Sequence, residues 1–329
     1  MGIPKITPIE SQLVNPNRIE DFPGPYCMSF GFDIRPLTQS IERVGLVNCP
    51  LLIENKNAEL TVILGYRRVQ ALKTLGWDMI PCGVLSESEV SPLECLLLNL
   101  YDNLTTRKLN EVEKGMILNC LHSQVPEKEM LEVYMPLLEL PSNEPTLLFF
   151  IKLEQELDTE IKMSLVQKKI SLQTVKMLLK MESDERSHVF NFMSNLKFNI
   201  NQQKHFIDNI TDLSVIENKP AQELLNEPSL KVMLVNKQLN IPQKAKAILK
   251  LLRGRRFPSL VKAEKAFKKK VSRLDLPKSA SIHVPPYFEE PHYRLEVLFR
   301  EGKELRETIN RLSLTEDLDE LSDPWEKDV

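Results

Sequence analysis

Four consecutive residues, Gly65, Tyr66, Arg67 and Arg68, stand where the β-branched run LTVIL gives way to the helix-period segment YRRVQALKTLG. A helix N-terminus offers unpaired N–H groups and the positive end of its dipole, and a glycine lets the backbone approach an anion closely. Two guanidinium forks at that spot suit a di- or triphosphate. An isolated Gly-x-Arg-Arg more often describes two solvent-facing arginines opening a helix, and these residues alone do not displace that reading.

A second cationic feature lies far downstream. Twelve basic residues (Lys244, Lys246, Lys250, Arg253, Arg255, Arg256, Lys262, Lys265, Lys268, Lys269, Lys270 and Arg273) share one 30-residue window with a single acid, Glu264, although the whole chain carries a net charge of only −3. Such a block suits a polyanion, with Arg255, Arg256, Lys268, Lys269 and Lys270 as the best phosphate contacts, which would be salt-sensitive and sequence-independent. The alternative is a solvated helix whose lysine stems cover apolar surface.

The elements that must position these residues follow from hydrophobic period and punctuation. SIERVGL has helical spacing at Ile41, Val44 and Leu46, with Gly45 as its C-cap. CPLLIE and LTVILG read as strands around the turn NKNAE, and IPCGVL reads as a third strand. Between them YRRVQALKTLG is a helix with Val69, Ala71 and Leu72 inward, stopped by Gly76. A short helix over residues 92–100 and a longer one over 110–122 complete a small α/β unit.

Residues 127–239 are almost wholly helical, broken at Pro136, Pro141 and Pro145 and again near Pro220 and Pro228. That is the scale of an all-α helix-turn-helix domain. Residues 241–258, with Pro242, Gly254 and Pro258, read as a linker. Beyond them Leu260, Phe267, Val271 and Leu274 lie at helical spacing, SIHV and YRLEVLFR read as strands, and KELRETINRL carries Leu305, Ile309 and Leu312 on one stripe. About 55 residues in this order make a thin core, so dimerisation is expected. The fold class is α+β: a mixed α/β domain (1–125), an all-α domain (126–240), a basic linker (241–258), a helix-strand-strand-helix dimerisation domain (259–314) and an acidic tail (315–329).

Composition removes whole classes. Hydrophobic residues make up 42% of the 329 and glycines number 10, which excludes collagen-like and wholly disordered chains. No apolar run approaches the roughly 18 residues a membrane span needs, and the start MGIPKITPIESQLVN lacks the pattern of a secretory signal, so a cytoplasmic, nucleoid-associated protein without a membrane partner is expected. The five cysteines form no C-x-x-C pair and read as reduced, mostly buried side chains. The five histidines show no metal-binding spacing.

The order SIERVGLVNCPLLI, GYRRVQAL, IPCGVL, DNLTTRKLNEVEKG resembles the amino-terminal domain of ParB-type chromosome and plasmid partition proteins. Their motifs are SI-x-x-x-G-L-x-x-P, G-x-R-R-x-x-A and a Glu-Asn-x-x-Arg box followed by Leu-Asn and an acidic helix. The resemblance is specific over residues 34–115 and otherwise lies in the order of elements. It implies a CTP-binding fold with Mg²⁺, in which Gly65, Tyr66, Arg67, Arg68 and Arg107 hold the nucleotide. Asp102 and Asn103 would sit at the metal and serve any weak CTPase activity. A carboxylate with an amide carbonyl supplies the oxygen ligands a hard cation wants, although both residues also commonly cap turns.

This chain departs from the family at two places. Asp102 stands where the family has Glu, and Thr106 occupies the place of its Arg, with Arg107 one position late. One position on a helix rotates a side chain by about 100°, so hydrolysis is less supported than binding. Sulfiredoxin, on the same fold, uses a cysteine in this turn, and none is present here.

For the middle domain the resemblance implies DNA binding. KKISLQTVKMLLKM over 168–181 matches the family's helix entry and brings Lys168 and Lys169. The segment placed as recognition helix, EPTLLFFIKLEQ over 144–155, offers chiefly Lys152 and Gln155 to bases. The partners implied are DNA, a second copy of the chain and a ParA-like ATPase. Two rival readings are a phosphotransferase or nuclease, with Asp102 and Glu111 as its acids, and a protein-interaction adaptor with a degenerate DNA-reading domain.

Overall fold

The computed structural model describes residues 9–290, 292–316 and 318–321. The acidic tail expected from residue 315 onward therefore lies mostly outside the described residues. The chain is of mixed α and β structure and forms two compact units, one from residues up to 194 together with 199–204, the other from 195–198 and 205 onward.

The first unit opens with β1 (Ser11–Val14), α1 (Arg35–Val44), β2 (Leu51–Glu54), β3 (Leu60–Leu64), α2 (Tyr66–Thr74) and β4 (Ile80–Ser86). The strands make one sheet in the order β1-β4-β2-β3, with β2 and β4 parallel and the other two pairings antiparallel. β1 was not expected from the sequence, because only Val14 of its four residues is buried and no alternation marks it. One face of the sheet buries Leu52, Val62 and Cys82 against Ile41, Val69 and Leu72 of α1 and α2, and the other buries Leu51, Ile53 and Ile63 with Cys95. The alternation of strand side chains thus fills two cores from one sheet.

α3 (Pro92–Thr106) begins with a Ser91–Glu94 capping box and runs six residues beyond its expected end. Asp102 and Asn103 therefore lie within a helix and do not cap a turn. α4 (Glu111–His122) starts from a second capping box, Asn110 with Glu113. Next come α5 (Glu127–Glu129), a π-helical Met130–Tyr134, α6 (Met135–Leu137), α7 (Glu144–Glu156), α8 (Thr159–Val166), α9 (Leu172–Leu178) and α10 (Ser183–Asn195). α4 packs on α7 so closely that a Cβ at Gly115 would lie 2.9 Å from the Phe150 carbonyl oxygen. The carbonyl end of α7 is held by two buried cations, Lys162 Nζ on Glu154 O at 2.6 Å and Arg186 Nη2 on Glu156 O at 2.6 Å. Cations are favoured there because the last carbonyls lack intrahelical partners.

The second unit contains α11 (Ile200–Glu217, whose first turn belongs to the first unit), α12 (Ala221–Leu225), α13 (Pro228–Val235), α14 (Ile241–Arg256), α15 (Pro258–Arg273), the antiparallel pair β5 (Ala280–His283) and β6 (Arg294–Val297), and α16 (Gly302–Ser313). The expected linker over 241–258 is α14, a correction with a local cause. Pro242 occupies the first turn, where no N–H is needed, Asn240 and Gln243 form a capping box, and Ala245, Ile248 and Leu252 bury one stripe. Pro258 opens the next helix instead of ending a loop. The carboxy-terminal core is aromatic: Phe267 stacks on Tyr293 at 5.3 Å and meets Phe288 edge-on at 6.0 Å, above Leu260 and Ala263.

Candidate polyanion site

β3 ends at Leu64, and Gly65 turns the chain into α2 with φ 85° and ψ 27°. That left-handed conformation is one an L side chain adopts at a cost. A Cβ here would also strike the Arg68 guanidinium at 2.9 Å from Nε. The glycine therefore lets Arg68 fold back over the turn, where its Nη1 donates to Asn48 O at 2.9 Å. Tyr66 reaches the other way, its hydroxyl donating to Asp21 O at 3.3 Å and its ring meeting Phe32 edge-on at 6.2 Å.

Arg67 points into a polar cluster. Its Nη2 donates to Glu113 Oε1 at 2.9 Å and its Nε to Ser29 Oγ at 3.2 Å, while the guanidinium lies 4.6 Å over the Phe32 ring. Arg107 enters from the residue after α3: Nη1 donates to Glu113 Oε2 at 2.6 Å, Nη2 to Met28 O at 2.6 Å and Nε to Asn103 Oδ1 at 2.6 Å. Glu113 is 1% exposed and also accepts from the backbone N–H groups of Phe30 and Asn110. Its charge is tolerated in the interior because four donors surround it.

Two guanidiniums thus share one carboxylate. Burial pulls the Arg67 pKa below its ordinary value and the neighbouring Arg107 adds to that, with Glu113 opposing both. The adjoining Cys27 thiol is pushed up to about 11 by burial, so it is a neutral apolar filler at physiological pH. Arg67 keeps 30% of its side chain exposed against 18% for Arg107. The outward, cationic side of the cluster is therefore Arg67 together with Arg68, at the N-terminal end of the nine-residue α2. This donor set fits a polyphosphate.

The fit to Mg²⁺ is poorer. Asn103 has its amide oxygen under Arg107, and its Nδ2 donates to Asn99 O at 2.8 Å and Asn99 Oδ1 at 2.6 Å. As placed, it offers no oxygen to a cation. Asp102, about 100° round the helix, accepts from the Thr105 and Thr106 hydroxyls through its backbone carbonyl. Among the described residues no group of three or more His, Cys, Asp or Glu side chains is arranged to hold a metal ion. Glu111, the other acid of the enzyme reading, pairs with Lys114 at 3.4 Å and takes no part in the cluster.

The structure brings Arg67, Arg107 and Asn103 together and leaves Asp102 apart. Glu113, Ser29, Phe32 and Asn99 were not anticipated. The one local signal at Glu113 is the Asn110-x-x-Glu113 capping spacing, which speaks of a helix start and not of an arginine partner.

The expected DNA contacts divide in the same way. Lys152 is exposed on α7, and Lys168 and Lys169 are exposed in the turn after α8. Gln155 is tied to Asn119 at 2.8 Å, and Leu148 is 45% exposed. Arg255 and Arg256 are not free for phosphates. Arg255 binds Glu217 and Glu227 at 2.6 Å each, and Arg256 pairs with Asp212, bonds Asn209 Oδ1 at 3.2 Å and covers Phe257. On α15, Lys268 and Lys269 are exposed beside Lys262, Lys265 and Arg273, and Lys270 is half-buried.

No family model and no curated protein matches this chain. Among solved structures it is similar to the C-terminally truncated chromosome-partitioning protein ParB from Caulobacter crescentus in complex with CTP-γ-S, at 16% identity and TM-score 0.26 over 53% of this chain and 93% of that one. It is similar to the same protein on the centromeric parS site, at 15% identity and TM-score 0.31 over 65% and 98%. A Pnob8-like ParB-N domain matches at 14% identity and TM-score 0.29 over 74% and 100%. All three are ParB structures, the family that the sequence motifs resemble. Among the described residues no helix is long and apolar enough to cross a membrane.

Proposed function

We propose that this chain is a ParB-like, nucleotide-binding protein that associates with DNA, with CTP as its nucleotide and partition or a related DNA-bound role as its task. The observation that carries the reading is the convergence of Arg67 and Arg107 on one buried carboxylate beneath a left-handed Gly65, with Arg68 over the same turn. Gly65, Tyr66, Arg67 and Arg68 would hold the phosphates, with Arg107 behind them. Mg²⁺ and hydrolysis are not part of the proposal, because the Asn103 amide is engaged and Asp102 stands apart from the cluster.

DNA contact is assigned to the exposed lysines of α15, with Lys152, Lys168 and Lys169 as the middle-domain contribution and Arg255 and Arg256 withdrawn. Evenly spaced lysines on one helix face contact phosphates without reading sequence. A second copy would cover the carboxy-terminal sheet and α16, where Leu295, Phe299 and Ile309 are each about half exposed. An adaptor role for α7 is supported by its exposed Leu148 and its few base-reading side chains.

The deciding experiment is calorimetric titration with CTP, ATP and GTP in Mg²⁺, with and without duplex DNA. Selective CTP binding that disappears in Arg68→Ala and Arg67→Ala, each with an intact melting transition, supports the assignment. Equal heats in wild type and both variants would overturn it.

A further inference from the structure

The second unit holds a cavity of about 550 Å³ between α15 and β5, within the roughly 300–1,000 Å³ of small-ligand sites. Its apolar floor is Phe267 and Val271 of α15, Ile282 of β5, Val284 and Phe288. Tyr287 and Phe288 both stand in the left-handed region, at φ 58° and 54°, which leaves Tyr287 exposed and Phe288 buried. Strain of this kind persists only where the surroundings impose it, and it clusters at binding sites. Of the charged groups around the cavity, Glu264 is taken by Arg253 through bonds of 2.7 and 2.8 Å and His283 by Glu296 at 2.7 Å, which leaves Lys268 at the rim. Lys265 lies one turn back on the same face, and Lys269 and Arg273 continue the exposed cationic surface. An apolar hollow beside surplus positive charge suits an acidic segment with an aromatic anchor.

Residues 315–329, of which 322–329 lie outside the described residues, have that chemistry: seven acids against one lysine, with Trp325 among them. The segment also starts close by. Thr308 of α16 and Ser279 share a hydroxyl–hydroxyl bond of 3.1 Å, and Ser279 precedes His283 by four residues, about 13 Å of strand. Twelve residues run from Ser313, the end of α16, to Trp325, each able to span about 3.3 Å. We infer that residues 315–329 fold back onto α15 of the same chain, with Trp325 in the cavity and the carboxylates on Lys265, Lys268 and Lys269. The segment and DNA then compete for the same lysines; that consequence rests on the DNA reading above, whereas the docking does not. Ser272 supplies a partner for the indole N–H, since its hydroxyl donates to Lys269 O at 2.9 Å and keeps lone pairs to accept with. Tethering sets an effective concentration on the order of millimolar, so weak contacts suffice.

The test uses the full chain with Trp77→Phe, where Trp325 is the only indole. Its fluorescence is expected to be blue-shifted and poorly quenched by acrylamide, and to shift red in Lys268→Glu, in Val284→Gln and on addition of duplex DNA at low salt. Trp325→Ala, and separately the triple change Asp323→Asn, Glu326→Gln, Asp328→Asn, are expected to bind duplex about tenfold tighter than wild type at low salt, a gap that closes as salt screens both interactions. A Trp325 as accessible in the native chain as in urea, or unmoved by both cavity variants, overturns the docking. Protection that grows with protein concentration assigns the cavity to another copy's segment and overturns the same-chain inference. Protection with unchanged duplex affinity in the segment variants overturns the competition. Failure of every form to bind duplex defeats the DNA reading, while the fluorescence still decides the docking.

Discussion

The chain contains two arginine doublets, Arg67-Arg68 and Arg255-Arg256, and the structure uses them in opposite ways. The first opens a helix, beside a left-handed glycine and at the positive end of a dipole. The second closes a helix, in the last turn of α14, where the free carbonyls favour cations. In the first doublet Arg67 shares a single acid, Glu113, with a third arginine while Arg68 donates to the Asn48 carbonyl, so positive charge is left over and faces outward. The second is met by Glu217, Glu227 and Asp212, so nothing is left over. An arginine pair is thus a binding feature only where the surrounding acids fall short of it, and composition near the pair in sequence does not reveal that count.

The largest effect expected is on the first cluster. Glu113→Ala leaves Arg67 and Arg107 facing each other without a counter-charge, and losing one member of a buried ion pair costs about 3–5 kcal/mol. Urea denaturation measures it, and a loss below 1 kcal/mol would mean that the two guanidiniums are solvated in solution. Next in size, Arg255→Ala removes a partly buried pair and should cost about 1–2 kcal/mol, between the values for buried and exposed bridges.

The Arg255 pair also carries a pH signature. Hydrogen bonds from Arg255 hold the Glu227 carboxyl below the ordinary glutamate value of 4.5. A depressed carboxylate contributes stability that is fully present above its unfolded pKa and is lost as pH falls through the folded one. Wild type should therefore lose more stability than Arg255→Ala as the pH is lowered below 4.5, and parallel stability curves for the two proteins would refute the assignment.

A smaller effect is expected at Gly65. Gly65→Ala places a Cβ in the left-handed region and against Arg68, at about 1 kcal/mol, with weaker nucleotide binding as Arg68 is displaced. Unchanged calorimetric binding would remove the turn from the site. Smallest in stability is the double reversal Lys268→Glu, Lys269→Glu on exposed α15 positions, expected to leave the melting temperature in place. It should flatten the salt dependence of DNA binding by about one unit of slope per lost phosphate contact. Substitution of Arg255 or Arg256 should leave that slope alone, which makes the two doublets separable by one titration.

Much of the first unit was legible because its signals are local. The strand ending at Gly65 and the helix stopped near Gly76 each depend on residues within four positions of one another. The linker reading failed on the same ground, since Pro242 and Pro258 were taken as breakers when both stand in first turns of helices. α3 outran its expected end over residues with no buried apolar stripe, where Asn103 bonds back to Asn99 and accepts from Arg107.

The sequence by itself determined where anion-binding geometry could arise, through a glycine and two arginines at a helix start, and where positive charge accumulates, through the window that holds α14 and α15. Only tertiary structure decided which cations remain available. Arg67 meets Glu113 across 46 positions of chain and Arg255 meets Glu217 across 38, separations that no local period encodes. Pairing is settled by which side chains the packed helices bring within hydrogen-bond distance, and desolvation then makes each such pairing hard to break.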